Sequence, residues 1–265
     1  MRGHDYELVR RPPAADLAAL VERHWVVSWD LPPGRRSACT LLPHPCVNLV
    51  FDRGQVAVAG VGLERFTYEL SGRGQVFGVK FRPGAFHPFL RRSVAEITGR
   101  MLPLAALWGA ADATRLAADL AAVGSSGAGS FEAQAQVAER HLRAHWPPFD
   151  PEVARVGEIV HALLYDRSIT RVDEVAHRAG LSPRSLQRLF QRYVGVTPKW
   201  VLQRYRLHEA AARLAERGDE TWAEVAADLG YFDQSHFIRD FTRAVGLTPA
   251  AYADACARQQ APVSA

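Results

Sequence analysis

Arg184, Gln187, Arg188 and Gln191 recur at i, i+3, i+4 and i+7 within Pro183–Tyr193, the spacing of one helix face. Guanidinium and carboxamide groups can pair bidentately with base edges, Arg with guanine and Gln with adenine. One such pair is worth ~1–3 kcal/mol of discrimination. A guanidinium also binds phosphate, without sequence preference. The surroundings are basic. From Val175 to His208 there is no Asp or Glu, whereas Arg178, Arg184, Arg188, Arg192, Lys199, Arg204 and Arg206 all fall there. A phosphate-facing surface has this charge distribution, and so does a solvated helix face.

Other chemistry is sparse. His44 stands with Cys39 and Cys46, but the spacing fits no zinc pattern and prolines flank the histidine. Gly60-Val61-Gly62 lacks the third glycine and the following helix of a dinucleotide loop. No Ser/His/Asp set has a nucleophile elbow. No catalytic residue, metal ligand or cofactor is assigned, and the expectation is a protein that is not an enzyme.

The elements that must carry the Arg/Gln stripe are legible. Leu186, Leu189, Phe190 and Tyr193 form the opposite, apolar stripe of the same helix. Ser182 suits its N-cap and Pro183 its first turn. Before it, Val172–Ala179 reads as a short helix with Val175 and Ala176 inward, and Gly180 as the left-handed residue that turns the chain. Helix, tight turn and two-faced helix describe a helix-turn-helix.

The unit recurs. Val175-Ala176 returns as Val225-Ala226 and Gly180 as Gly230, 50 positions later. Phe190 returns as Phe241, Gly195 as Gly246 and Thr197-Pro198 as Thr248-Pro249, 51 later. One extra residue therefore follows Gly230. In the second copy Trp222–Leu229 is the supporting helix and Asp233 the N-cap. Phe237 and Phe241 are core, and Ser235, Ile238, Arg239 and Thr242 form the outer stripe. Trp200 and Trp222 read as core residues. A long helix from about Pro198 to Arg217 joins the two units.

The N-terminal part reads differently. A helix is expected over Ala14–His24, then strands at His24–Trp29, Val47–Phe51, Gln55–Ala59, Phe66–Leu70 and Val76–Arg82. Short helices are expected at Ala85–Arg91, Pro103–Trp108 and Ala111–Ala122. Trp25, Trp29, Phe51, Phe77, Phe81 and Phe86 either line a cavity or fill a core. The flexible stretch Val123–Ser130 resembles a linker, followed by a helix over Phe131–His145. The predicted fold class is α+β with two domains. The N-terminal one is a small β-barrel or sandwich with appended helices. The C-terminal one is all-α, two helix-turn-helix units joined by a long helix. The expected layout is 1–125 for the β-rich domain, 126–150 for a linker and connecting helix, 151–258 for the helical domain and 259–265 for a flexible tail.

With 265 residues and 48% hydrophobic content the chain can bury two cores. The net charge of +4 is a mild hint of an anionic partner. Three scattered cysteines, no apolar run of membrane length and no signal-like N-terminus lead to the expectation of a reducing cytoplasm.

The segments AGLSPRSLQRLFQRYVGVTPKWVLQRYRL (Ala179–Leu207) and WAEVAADLGYFDQSHFIRDFTRAVGLTPAAY (Trp222–Tyr252) resemble the AraC/XylS family of bacterial transcription regulators. The resemblance extends to the β-rich, sensor-like domain of one branch, through Trp25, the run Leu42–Phe51 and Phe81-Arg82-Pro83-Gly84-Ala85. It implies sequence-specific binding of promoter or operator DNA and a likeness in partners: RNA polymerase, a small-molecule effector, a homodimer. The family's base-reading positions match Arg184, Gln187 and Arg188 in the first unit and Gln234, Ser235, His236 and Arg239 in the second. Ser182, Arg192, Lys199, Arg204 and Thr242 are expected at the DNA backbone. Ile238 replaces the glutamine equivalent to Gln187, so the first unit should carry more of the discrimination. Alternatives stay open at this stage: Arg184 or Arg188 touching only phosphate, His236 packing or capping, and a ligand-binding or enzymatic β domain with the helices as an interaction module.

Overall fold

The computed structural model describes residues 2–3, 5–124, 130–166, 168–216 and 221–260. The chain opens with β1 (Arg2–Gly3) and β2 (Tyr6–Arg11), a 3-10 turn at Ala15–Leu17, and β3 (Val21–Asp30). β4 (Arg36–Leu41), β5 (Asn48–Asp52), β6 (Gln55–Ala59), β7 (Phe66–Ser71) and β8 (Arg73–Phe81) follow. Next come α1 (His87–Leu90), a 3-10 turn at Val94–Ile97, β9 (Met101–Pro103), α2 (Ala105–Trp108), α3 (Ala110–Ala122) and α4 (Ser130–Ala144). The rest is helical: α5 (Pro151–Tyr165), α6 (Val172–Arg178), α7 (Pro183–Tyr193), α8 (Pro198–Ala215), α9 (Trp222–Asp228), α10 (Gln234–Val245) and α11 (Pro249–Gln260).

An antiparallel sheet in the order β1-β2-β3-β8-β5-β6-β9 and a β4-β7 ribbon build the N-terminal domain. Phe77, Phe81 and Phe86 are buried in its main core, and Trp29 in a smaller core under the ribbon. Phe51 and Trp25 pack partly buried against these two cores. The rings therefore fill the domain rather than line a cavity within it. A cavity of about 1140 Å³ lies between the domains.

The helix expected over Ala14–His24 is not formed. Leu17, Leu20 and Val21 have helical spacing, but the run Val21–Trp29 is β-branched and aromatic. As β3 it pairs with both β2 and β8, so ladder hydrogen bonds on two sides override the local pattern. β2 and β4, both unforeseen, pair at Arg11↔His24 and Arg36↔Ser71 among other positions.

The helix placed by sequence in a connecting segment, α4, packs on the first core through Phe131, Val137, Ala138 and Leu142. Its Glu139 accepts from Ala14 N at 2.8 Å and from His24 Nε2 at 3.0 Å, and Arg143 pairs with Asp16. Burial pulls the His24 pKa below the usual histidine range, against the opposing carboxylate of Glu139. Of the predicted linker, residues 125–129 lie outside the described residues, as do Arg217 and residues 261–265.

Two further cores belong to the helical part. One gathers Val156, Ile159, Val175, Ala176, Leu186, Phe190 and Val201; the other Leu207, Leu214, Val225, Ala226, Phe237 and Phe241. α8 contributes to both and so couples the two units. The N-terminal domain reaches each as well: Val61 is buried in the first and Leu42 packs on the second.

Candidate nucleic-acid interface

The turn between α6 and α7 is built as the repeat requires. Gly180 has φ +63°, and Leu181 N donates to Ala176 O at 2.9 Å. Gly230 has φ +69°, and Tyr231 N donates to Ala226 O at the same distance. Positive φ is cheap for glycine and costly for other residues, so both turns depend on it. The N-caps also match. Ser182 Oγ accepts from Ser185 N at 3.1 Å, and Asp233 Oδ1 from His236 N at 2.7 Å. Ser182 lies two positions after its glycine and Asp233 three, which places the extra residue at Tyr231-Phe232. Phe232 is 94% exposed, just before α10.

On α7, Leu186, Phe190 and Tyr193 are buried, and Leu189 is half-buried. Arg184, Gln187 and Arg188 are exposed on the other side, and no described group bonds the Arg184 or Arg188 guanidinium. On α10, Gln234, Ser235 and Arg239 are exposed; Arg239 Nε donates to Ser235 O at 3.3 Å. His236 stands between the two roles considered for it. Its ring meets Tyr231 edge-on at 5.3 Å, and its Nε2 is 3.4 Å from Asp240, yet its side chain is 45% exposed. Ile238 packs partly buried against the core of its unit.

The expected backbone contacts divide. Ser182 and Lys199 are exposed. Arg192 is exposed too, but its Nε donates to His87 Nε2 of the N-terminal domain at 3.0 Å. That bond requires a neutral His87, whose pKa burial and the Arg192 charge lower, against the opposing carboxylate of Asp150. Arg204 needs correction. It is 6% exposed, its guanidinium lies 4.4 Å over Trp200, and Nη2 donates to Leu63 O at 2.6 Å. Burial pulls its pKa down to about 10. Its charge is spent against the other domain, out of reach of a phosphate. Thr242 is corrected likewise, since its hydroxyl oxygen is buried with no partner among the described residues. The side chain of Trp222 lies outside the described residues.

The basic run is thus mostly internal wiring. Arg178 pairs with Asp166 and Arg206 donates to Thr170 O at 3.0 Å. Sequence reading missed the domain contacts that surround the site. Ser93 Oγ donates to Gln191 O at 3.0 Å and Thr98 Oγ1 to Gly195 O at 2.8 Å. Arg65 Nη1 donates to Val245 O at 3.1 Å, at the end of α10. Periodicity carries no signal for such long-range pairs.

Residues 175–255 match the family described as Helix-turn-helix domain, and residues 9–103 match Domain of unknown function (DUF6597). The chain is 38% identical over 87 residues to the HTH-type transcriptional regulator Rv1931c of Mycobacterium tuberculosis, covering 33% of each chain. It is 35% identical over 101 residues to the transcriptional activator NphR of Rhodococcus sp, covering 38% of this chain and 29% of that one. Among solved structures, it is similar to the DNA-binding domain of AdpA in complex with a target DNA. That match has 29% identity and a TM-score of 0.35, over 42% of this chain and 97% of the other. The chain spans about a third or less of the length of the curated relatives it matches. Two glycine-turned units with matching caps, within the residues that match the family model, show that the helical part carries a helix-turn-helix domain like that of these transcriptional regulators.

Proposed function

We propose that the whole chain is a sequence-specific DNA-binding transcription regulator that sets α7 and α10 into adjacent major grooves, ~34 Å apart, on one face of a duplex. The observation that carries this is the pairing of two like-built units, each with an exposed polar face on its second helix, across the shared helix α8. In this reading Arg184, Gln187 and Arg188 read bases in one groove. Gln234, Ser235, His236 and Arg239 read the other, and Ser182 and Lys199 hold phosphates. No catalytic step is invoked. The reader is residues 151–258, and 1–125 together with α4 form the regulatory domain.

RNA polymerase as a partner and a cytoplasmic setting are part of the proposal; two relatives are named a transcriptional regulator and a transcriptional activator. No described helix is long and apolar enough to cross a membrane. The cavity between the domains supports a small-molecule effector, because Lys80 and Glu22 from one domain and Val160 and Tyr205 from the other share its wall. Homodimerisation remains part of the proposal through the N-terminal domain. Footprinting on a duplex recovered by selection tests the reading. Two protected blocks one helical turn apart support it, and a single block overturns the two-groove arrangement.

A further inference from the structure

The open cleft beside α7, about 770 Å³, is lined from both domains. Arg184, Arg188 and Arg192 come from α7. Arg91 and Arg92 come from the N-terminal domain, and Glu96 is the only carboxylate in the lining. Arg92 lies 3.5 Å from Glu96, and Arg192 is tied to His87. The Arg91, Arg184 and Arg188 guanidinium groups have no bonded partner among the described residues. The cleft therefore holds a surplus of cations that no described residue neutralises.

Its N-terminal wall is fixed in place. Ser93 and Thr98 bond to the backbone of Gln191 and Gly195, at the end of α7, so Arg91 and Arg92 are held alongside the recognition helix. Arg91 itself caps α1 at φ +56°, where a residue with a Cβ is strained and glycine or asparagine would be cheaper. Arginine at that corner gives the turn nothing and the cleft a cation.

We infer that Arg91 and Arg92 of the N-terminal domain bind the phosphates flanking the groove that α7 reads, so the DNA-binding surface crosses the domain boundary. The inference rests on the proposed DNA-binding reading. A strand lining the groove at Arg184 and Arg188 passes the same cleft, and five arginines against one carboxylate suit a polyanion. Contacts of this kind add affinity without sequence preference.

The test is equilibrium binding of the full chain to a selected duplex and to an unrelated one, across a series of salt concentrations. Wild type is compared with Arg91→Asn/Arg92→Gln, which keeps an αL-tolerant residue at 91, and with Arg115→Gln/Arg140→Gln. The last variant removes two exposed arginines from α3 and α4 and controls for net charge. The expected result for Arg91→Asn/Arg92→Gln is weaker binding to both duplexes by the same factor, with a log–log salt slope shallower by about 1.8 at ~0.9 per phosphate. The control keeps the wild-type slope. Thermal melting shows that both variants remain folded. An unchanged slope overturns the inference while the helix-turn-helix reading stands. A loss confined to the selected duplex overturns the backbone assignment in favour of base readout. If wild type binds neither duplex, the reading beneath the inference fails first.

Discussion

The imidazoles of His44 and His208 lie parallel, 3.8 Å between centroids and 7° between planes, one ring from each domain. Burial, the neighbouring ring and the charges of Lys80, Arg23 and Arg10 drive the His44 pKa down to about 2. Burial takes His208 to about 4, with Arg204 and Lys80 adding to the depression and the Pro43 carbonyl opposing it. A charged pair could not stack this way, so the contact requires both rings neutral.

Stability should therefore fall on acidification. Above pH ~6.5 the rings are neutral folded and unfolded, and no linkage arises. Below it the unfolded chain takes up protons that the folded chain refuses until the depressed pKa values are reached. The slope is at most about 1.4 kcal/mol per pH unit for each ring. Denaturation at pH 7.5, 6 and 5 should show this loss, and His44→Gln/His208→Gln should flatten it. The slope left over belongs to His24 and His87, whose pKa values burial also lowers. An unflattened profile in the variant would assign the acid sensitivity elsewhere.

Arg204 separates charge from location. Arg204→Met should leave the salt slope of DNA binding at the wild-type value, because its guanidinium faces Leu63 O rather than a phosphate. It should instead shift the denaturation midpoint, since Leu63 O loses its donor. A slope shallower by about 0.9 would return Arg204 to the DNA backbone.

Two glycines of the helical domain differ in what surrounds them. At Gly180, φ +63°, a Cβ would meet nothing within 4 Å, so Gly180→Ala should cost only the left-handed strain, about 1–2 kcal/mol. At Gly195, φ +90°, a Cβ would lie 2.6 Å from Thr98 Oγ1 and 3.1 Å from Val94 O. Gly195→Ala should cost more and should loosen the N-terminal domain from α7. Chemical denaturation gives the ranking, and protease sensitivity between the domains gives the loosening.

Removing either N-cap, by Ser182→Ala or Asp233→Ala, should destabilise by about 1 kcal/mol. Circular dichroism during urea unfolding reads the change. Equal effects at the two positions would mark the caps as equivalent parts of a duplicated unit.

Local chemistry was what the sequence exposed. The stripe Leu186, Phe190 and Tyr193, the turn glycines and the caps depend on neighbours within a few residues, and each is where the spacing predicts. The extra residue inferred after Gly230 falls at Tyr231-Phe232. What misled were features set at long range. Ala14–His24 has a helical pattern but joins a sheet whose partners are Arg11 and Phe81. Arg204 has the composition of a phosphate contact but is buried by a loop 141 residues earlier. Arg91 and Arg92 fall at the end of a predicted short helix that gives no hint of what they face, and only the docking of Ser93 and Thr98 brings them beside α7.

The central claim is that α7 reads bases, and it is tested most directly by selecting sites from random duplex DNA at one fixed salt concentration with wild type and Arg188→Ala side by side. Wild type should enrich two conserved blocks about one helical turn apart. The variant should lose preference within one block only, by ~1–3 kcal/mol, while the other block persists. Identical enrichment by both proteins, or binding by wild type that simply fades with salt and enriches nothing, would contradict it.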